Sequence, residues 1–243
     1  MANQKVPLLR RYLAFFFLLL LIPQHAFAMH IMEGFLPMEW ALGWGVLYLV
    51  FLLIGLKQIG KIVAEESDRK VLLALCAAFI FVLSALKIPS VTGSCSHPTG
   101  MGLGVALFGP WVMSVLGGIV LLFQSLFLAH GGLTTLGANG FSMAVAGPFI
   151  GYAVWVFAGK MNWRKDVSIF LCAVVADLST YIITSIQLGV AFPNPQSGMA
   201  GAITEFLTIF AMTQIPVAIA EGLLTVIIYD LIVKRKLITV KGN

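Results

Sequence analysis

The sequence predicts an all-α protein, a polytopic membrane helix bundle of about seven transmembrane helices. Three observations carry that reading. Of the 243 residues, 60% are hydrophobic and 10% charged, whereas soluble domains carry about a quarter charged residues. The apolar residues gather in runs approaching the roughly 20 that a bilayer crossing needs. The basic residues fall in clusters between those runs, as cytoplasmic loops do. One domain is the simplest count. The formal charge of +5 is modest, resides in loops, and points to no nucleic-acid partner. The 3 cysteines, Cys76, Cys95 and Cys172, are odd in number and lack paired spacing, which argues against a disulfide framework and a zinc knuckle.

The chain opens with a leader. Lys5, Arg10 and Arg11 form a positive region. "YLAFFFLLLLI" (residues 12–22) is an apolar core of about eleven residues, too short to span comfortably. Pro23 breaks it, and Ala26-Phe27-Ala28 is an A-x-A cleavage site. The order of these parts predicts a signal peptide over residues 1–28 and an integral-membrane domain over 29–243; an uncleaved anchor is the alternative. Cleavage after Ala28 gives Met29 a free α-amine on the outer face.

The later spans follow in order. Residues 38–56 form the first, and a loop bearing Lys57, Lys61, Arg69 and Lys70 follows it. Residues 71–86 form the second. Residues 87–100 are a loop rich in Pro, Ser, Thr and Gly. Residues 101–129 are apolar but too long for an ordinary single pass, and Gly109-Pro110 interrupts them. Proline suits a helix start, so two short passes meet there. "HGGLTTLGANG" (130–140) is a glycine-rich loop, and spans follow over about 141–158, 167–188 and 202–232. This count places Lys160, Arg164, Lys165 and the tail Lys234-Arg235-Lys236 inside, as the positive-inside rule asks. It also puts the new N-terminus and the 87–100 loop on the same, outer side.

A free N-terminus with histidine second is a chelator. The α-amine of Met29 and the amide nitrogen of His30 close a five-membered ring on a metal. That amide nitrogen and the imidazole close a six-membered ring. Three nitrogens lie nearly in one plane, which points to Ni(II), Cu(II) or Co(II) and away from Mg and Ca. His97, in "SVTGSCSHPTG" (90–100), is the candidate fourth donor on the same face, with a loop histidine bonded to a nearby carbonyl as the alternative, and Pro98 keeps its backbone out of a helix. Cys95 is a rival donor that would favour softer metals. His130 is a further ligand candidate, with a structural role, bonding backbone in its loop, as the favoured reading. Glu33 is a turn residue or a supporting group. Glu39, Asp177, Glu205 and Glu221 lie in or at the edges of spans, where charge is costly and often functional. Asp177 with Thr180, and Gln214 with Glu221, read as interhelical polar contacts.

Four blocks, "MHIMEGFLP" (29–37), "SVTGSCSHPTG", "HGGLTTLGAN" (130–139) and "TQIPVAIAEGLLT" (213–225), resemble the cobalt-specific substrate-capture component of energy-coupling-factor transporters. The resemblance covers essentially the whole mature chain. It implies metal binding by Met29, His30 and His97, and a six-helix core with an additional N-terminal helix. It implies Co(II) as the transported substrate, with no permanent cofactor, and cobalamin biosynthesis as the destination. The implied partners are a small two-span auxiliary subunit, a membrane coupling subunit and two cytoplasmic ATPase subunits. The implied location is the bacterial cytoplasmic membrane, with the mature N-terminus outside and the C-terminus in the cytoplasm. A nickel-specific component of the same transporter type is the alternative, because a planar four-nitrogen site also suits Ni(II). The small-residue pair Ala74 and Ala78 is a docking face for the coupling subunit by the same resemblance, or ordinary helix packing.

Other classes fit less well. No G-x-x-x-x-G-K-[ST] is present, so ATP hydrolysis falls to partners. Ser94, Ser96 and His97 invite a hydrolase reading, but G-x-S-x-G and H-E-x-x-H are both missing. A channel needs rings of polar pore residues, and the polar residues here are few and scattered.

Overall fold

The structure is a computed structural model that describes residues 30–66, 69–89 and 95–235. The leader, Met29 and the 90–94 stretch lie outside the described residues. Among the described residues seven helices follow one another: α1 (Met38–Glu65), α2 (Arg69–Ser84), α3 (Met101–Phe108), α4 (Pro110–Phe127), α5 (Leu136–Lys160), α6 (Lys165–Ala191) and α7 (Gly198–Lys234). Among the described residues, α1, α4, α5, α6 and α7 are long and apolar enough to cross a membrane.

The predicted break at Gly109-Pro110 is a real turn. Gly109 takes φ 80°, a region that favours glycine, and Pro110 starts α4 where its missing N–H costs nothing. The two passes are unequal. With 8 residues α3 is only about 12 Å long. It starts deep in the bundle, at the end of a connection that folds inward instead of running over the surface. That connection carries the only strand pairing among the described residues: β1 (Ile88–Pro89) runs antiparallel to β2 (Cys95–Ser96). Non-helical backbone at such depth is tolerated only where protein buries it, and residues 96–100 are all buried.

The outer surface of the bundle is apolar. On α1 only Ala41, Tyr48 and Gly55 are buried, while Leu42, Val46, Leu49, Val50 and Leu53 are exposed. That inverts a soluble helix and suits a lipid-facing one. Inside, Tyr48, Ile80, Met101, Met113, Leu121 and Met143 form the main core. A second cluster joins Ile31 and Leu36 to Ala138, Tyr181, Leu188 and Phe210. This second cluster seats the segment before α1 on α5, α6 and α7.

Alternation of the helices brings the segment before α1 and the connections α2–α3, α4–α5 and α6–α7 to one end. Lys57, Lys61, Arg69, Lys70, Lys160, Arg164, Lys165, Lys234 and Arg235 gather toward the other.

Candidate metal centre

Three histidines that are far apart in sequence meet inside the protein. His30, His97 and His130 each offer one ligand nitrogen, and these atoms lie within 4.8 Å of one another. The His30 ring centroid is 4.5 Å from that of His97 and 4.5 Å from that of His130, and the latter two are 4.9 Å apart. All three are at most 2% exposed.

Hydrogen bonds set the tautomers. Nδ1 of His97 faces the carbonyl of Pro98 at 3.0 Å. A carbonyl only accepts, so Nδ1 carries the proton and Nε2 keeps its lone pair. No hydrogen-bond partner meets that Nε2. Nε2 of His30 lies 3.1 Å from the thioether sulfur of Met143. A thioether can only accept, which puts the proton on Nε2 and the lone pair on Nδ1. Nδ1 is the nitrogen that closes a six-membered chelate with the residue's own amide. Burial lowers all three imidazoles below the usual histidine range. For His30 the neighbouring His130 and His97 add to the effect, and His97 is lowered to about 4. The rings stay neutral at physiological pH, the form that binds metal.

The His30 side is a clamp for an extended segment. Asn139 pairs with Ile31 as a strand neighbour would. Its Oδ1 accepts from the Ile31 amide at 2.8 Å, and its Nδ2 donates to the Ile31 carbonyl at 3.0 Å. The Thr135 hydroxyl donates to the same carbonyl at 2.6 Å. Thr134 and the turn at Glu33 exchange bonds, with Gly34 donating to the Thr134 hydroxyl and the Thr134 amide donating to the Glu33 carboxylate. The Thr134 hydroxyl, with the Thr134 and Leu133 amides, holds the Glu33 carboxyl below its usual range. The two glycines after His130 make the approach possible. Gly131 takes φ +77°, and a Cβ on Gly132 would lie 2.4 Å from the Glu33 Cα. Met143 reaches His30 from a π-helical stretch, Gly140–Ala146, inside α5, an irregularity frequent at functional sites.

The His97 side is set by α6 and α7. Gln214 Nε2 donates to the His97 carbonyl at 3.1 Å and to Asp177 Oδ2 at 2.5 Å. Glu221 accepts from the Thr99 amide at 2.5 Å and from its hydroxyl at 3.1 Å. The Ser96 hydroxyl meets Tyr181 and Thr213. These contacts explain how the connection stays ordered away from water.

Two expectations are corrected here. His130 does not bond backbone through its ring: Nε2 faces His30 Nδ1 at 3.1 Å, and Nδ1 has no hydrogen-bond partner. The other concerns pairing. Gln214 on α7 bonds Asp177 on α6, so the contact is interhelical, but Glu221 reaches the α2–α3 connection instead of Gln214. Thr180 donates to the Ala176 carbonyl, one turn back in its own helix, which a buried threonine reaches more easily than the side chain of Asp177. The sequence reading missed Thr99, Thr135, Asn139 and Met143. Thr135 and Asn139 stand in the conspicuous "HGGLTTLGAN" block, but nothing local says which segment they hold. Cys95, the rival donor, is described only through its backbone pairing with Pro89. Glu205 and Glu39 lie away from this cluster; Glu205 accepts from Asn194 at the chain's α6–α7 turn.

The chain matches known proteins over most of its length. The family model described as the cobalt uptake substrate-specific transmembrane region matches residues 30–237. "Cobalt transport protein CbiM" of Salmonella typhimurium is 66% identical over 226 residues, covering 93% of this chain and 92% of that protein. The protein of the same name from Listeria seeligeri is 64% identical, covering 88% and 87%, and that from Clostridioides difficile is 59% identical, covering 90% and 87%. The crystal structure of a truncated transition metal transporter has the same fold, with a TM-score of 0.74 at 24% identity over 85% of this chain and 99% of that one. A buried, neutral histidine cluster in a membrane bundle thus stands in a chain that belongs to the cobalt uptake substrate-specific transmembrane family.

Proposed function

We propose that this protein captures Co(II) at the outer face of the cytoplasmic membrane for an ATP-driven importer. One observation carries the reading: histidines from three separate stretches converge, buried, and His30 Nδ1 and His97 Nε2 each keep a lone pair that no backbone N–H takes up. The donor set is all nitrogen, which suits late first-row divalent metals. Removal of residues 1–28 leaves the Met29 amine beside His30, and His97 Nε2 completes four nitrogens. The high identity to proteins named for cobalt transport favours cobalt over nickel.

The remaining parts follow the same reading. The histidine end faces outward and the basic end inward, as the positive-inside rule requires, and the C-terminus is cytoplasmic. Lacking a nucleotide-binding signature, the chain relies on two ATPase subunits, a membrane coupling subunit and a small auxiliary subunit. An apolar groove between α2 and α4, lined by Ala74, Ala78, Phe81, Ile119 and Phe123, is a surface for a partner helix. Small residues let helices approach closely. The imported cobalt serves cobalamin synthesis.

The test joins two measurements. Intact mass of the purified active protein should begin at Met29. His97→Ala should remain folded and lose Co(II) affinity by at least about a hundredfold. Recovery of residues 1–28 in active protein would refute the amine ligand. Wild-type affinity in folded His97→Ala protein would remove His97 from the site.

A further inference from the structure

We propose that the turn joining α5 to α6 holds the headgroup of an anionic phospholipid at the basic end of the bundle. A cavity of about 180 Å³ opens there, lined by Tyr152, Trp155, Gly159, Trp163, Lys165 and Ser168. The local sequence builds it. Asn162 takes φ 52° and reverses the chain. Its amide donates to the Gly159 carbonyl at 3.1 Å, and the Trp163 amide donates to the Ala158 carbonyl at 3.0 Å. That pairing closes a helix on a left-handed residue. It brings Trp163 back beside α5, where its ring meets Phe157 edge-on with centroids 6.0 Å apart. Gly159 leaves the wall without a side chain, and a Cβ there would meet nothing within 4 Å.

The lining suits an anion. Trp155, Trp163, Tyr152 and Lys165 carry N–H and O–H donors, and no carboxylate lines the cavity. The Lys165 ammonium sits 5.8 Å from the centre of the Trp155 ring, so that aromatic face already has its cation. Arg164 is neutralised by Asp166 at 2.7 Å. Among the described residues no carboxylate lies within ion-pair distance of Lys160 or Lys165. The turn therefore presents positive charge without its counter-charge.

Depth separates a lipid from a free anion. Tyr152 stands about 12 Å below Lys160 along α5, at 1.5 Å per residue. The headgroup layer is roughly 5–7 Å thick on each side of the bilayer. The cavity thus runs from the headgroups to the edge of the hydrocarbon, with Trp and Tyr at the level where such rings gather. Phe157, Met161 and Val167, within two residues of the lining, are exposed and offer an apolar track for acyl chains. A soluble anion has no use for that track. A partner's helix, about 10 Å across with its side chains, is too wide for the cavity. Basic pockets between membrane helices are where acidic headgroups bind.

The experiment uses the full-length chain, expressed in a membrane and purified in mild detergent. It is titrated with phosphatidylglycerol, with phosphatidylcholine of the same acyl chains, or with inorganic phosphate, and bound lipid is counted by native mass spectrometry. One phosphatidylglycerol per chain should be retained and phosphatidylcholine lost, with inorganic phosphate unable to compete. Lys165→Gln should weaken phosphatidylglycerol binding about fivefold, the worth of one lysine near a membrane surface. Gly159→Leu should fill the cavity and abolish retention. The site lies at the opposite end from the histidines, so both variants should keep wild-type Co(II) affinity. Equal retention of the two lipids, displacement by inorganic phosphate, or unchanged retention in both variants would overturn the proposal. A lipid preference that appears only with partner subunits present would also overturn it, because the turn would then be a protein interface. If Gly159→Leu does not fold, Lys165→Gln and the wild-type preference between lipids decide.

Discussion

The two walls of the histidine cluster are built on different principles. The α4–α5 wall grips His30 with neutral groups: the Asn139 amide, the Thr135 hydroxyl and two glycines that admit a second backbone. It treats residues 30–34 as an added strand. The α6–α7 wall holds the His97 stretch with Gln214 on the His97 carbonyl, Asp177 behind Gln214 and Glu221 on Thr99, all at most 1% exposed. The first wall is a receptor for the extended segment that precedes α1. The second is a permanent part of the bundle, because unpairing any member strands a polar group away from water. On the proposed reading, a metal held by His30 and His97 would join the clamped segment to the bundle.

The comparison breaks most completely at the chain end. One residue inserted between Ala28 and Met29, with cleavage preserved after Ala28, moves histidine from second to third place. The terminus then offers four nitrogens of its own. The expected result is no cobalt uptake, some residual Cu(II) or Ni(II) binding, and no dependence on His97. Normal cobalt uptake by the extended protein would show that the amine is not a ligand.

A fixed half should register in stability. Glu221→Ala leaves the Thr99 amide and hydroxyl without their acceptor, at a cost of about 3 kcal/mol. Thermal unfolding in detergent should show a drop that metal only partly restores. Glu221→Gln, which keeps an acceptor, should lose less. An unchanged melting temperature in Glu221→Ala would mean that the connection does not depend on α7.

Acid sharpens the contrast between amine and imidazole. The folded histidines titrate below their unfolded value of about 6.5, with His97 near 4. Their contribution to stability is therefore complete above pH 6.5 and is lost as pH falls toward 4. Protons do not compete for these imidazoles between pH 6 and 7. The Met29 amine, with an ordinary value near 7.7–8.0, and the His30 amide must each release a proton. Co(II) affinity should then fall about a hundredfold from pH 7 to pH 6. A flat profile over that range would leave imidazoles as the only titrating-independent donors and remove the amine.

The smallest expected effect lies within the neutral clamp. Thr135→Val removes one hydrogen bond to the Ile31 carbonyl, while Asn139 Nδ2 still donates to it. Stability should fall by about 1 kcal/mol and Co(II) affinity only slightly, as read by calorimetry. A loss as large as that of Glu221→Ala would erase the distinction between the two walls.

Hydropathy determined the helical bundle, because lipid demands long apolar helices with internally satisfied backbones, and the count of about seven also needed the Gly109-Pro110 break and the placement of the basic residues. Gly109-Pro110 marked its turn through glycine's conformational freedom and proline's fit at a helix start, and His30 and His97 were legible as candidate donors because chelate ring size and the Pro98 backbone are properties of neighbouring residues. Only the tertiary structure decided the rest. That α3 is half a span, that residues 96–100 sink among α6 and α7, and that His130 faces His30 all depend on segments about a hundred residues apart in sequence. The pairing of Thr99 with Glu221 and of Ile31 with Asn139 has the same origin. Such contacts leave no periodicity or spacing in the chain, since side-chain partners across a bundle are chosen by packing and not by neighbours in sequence.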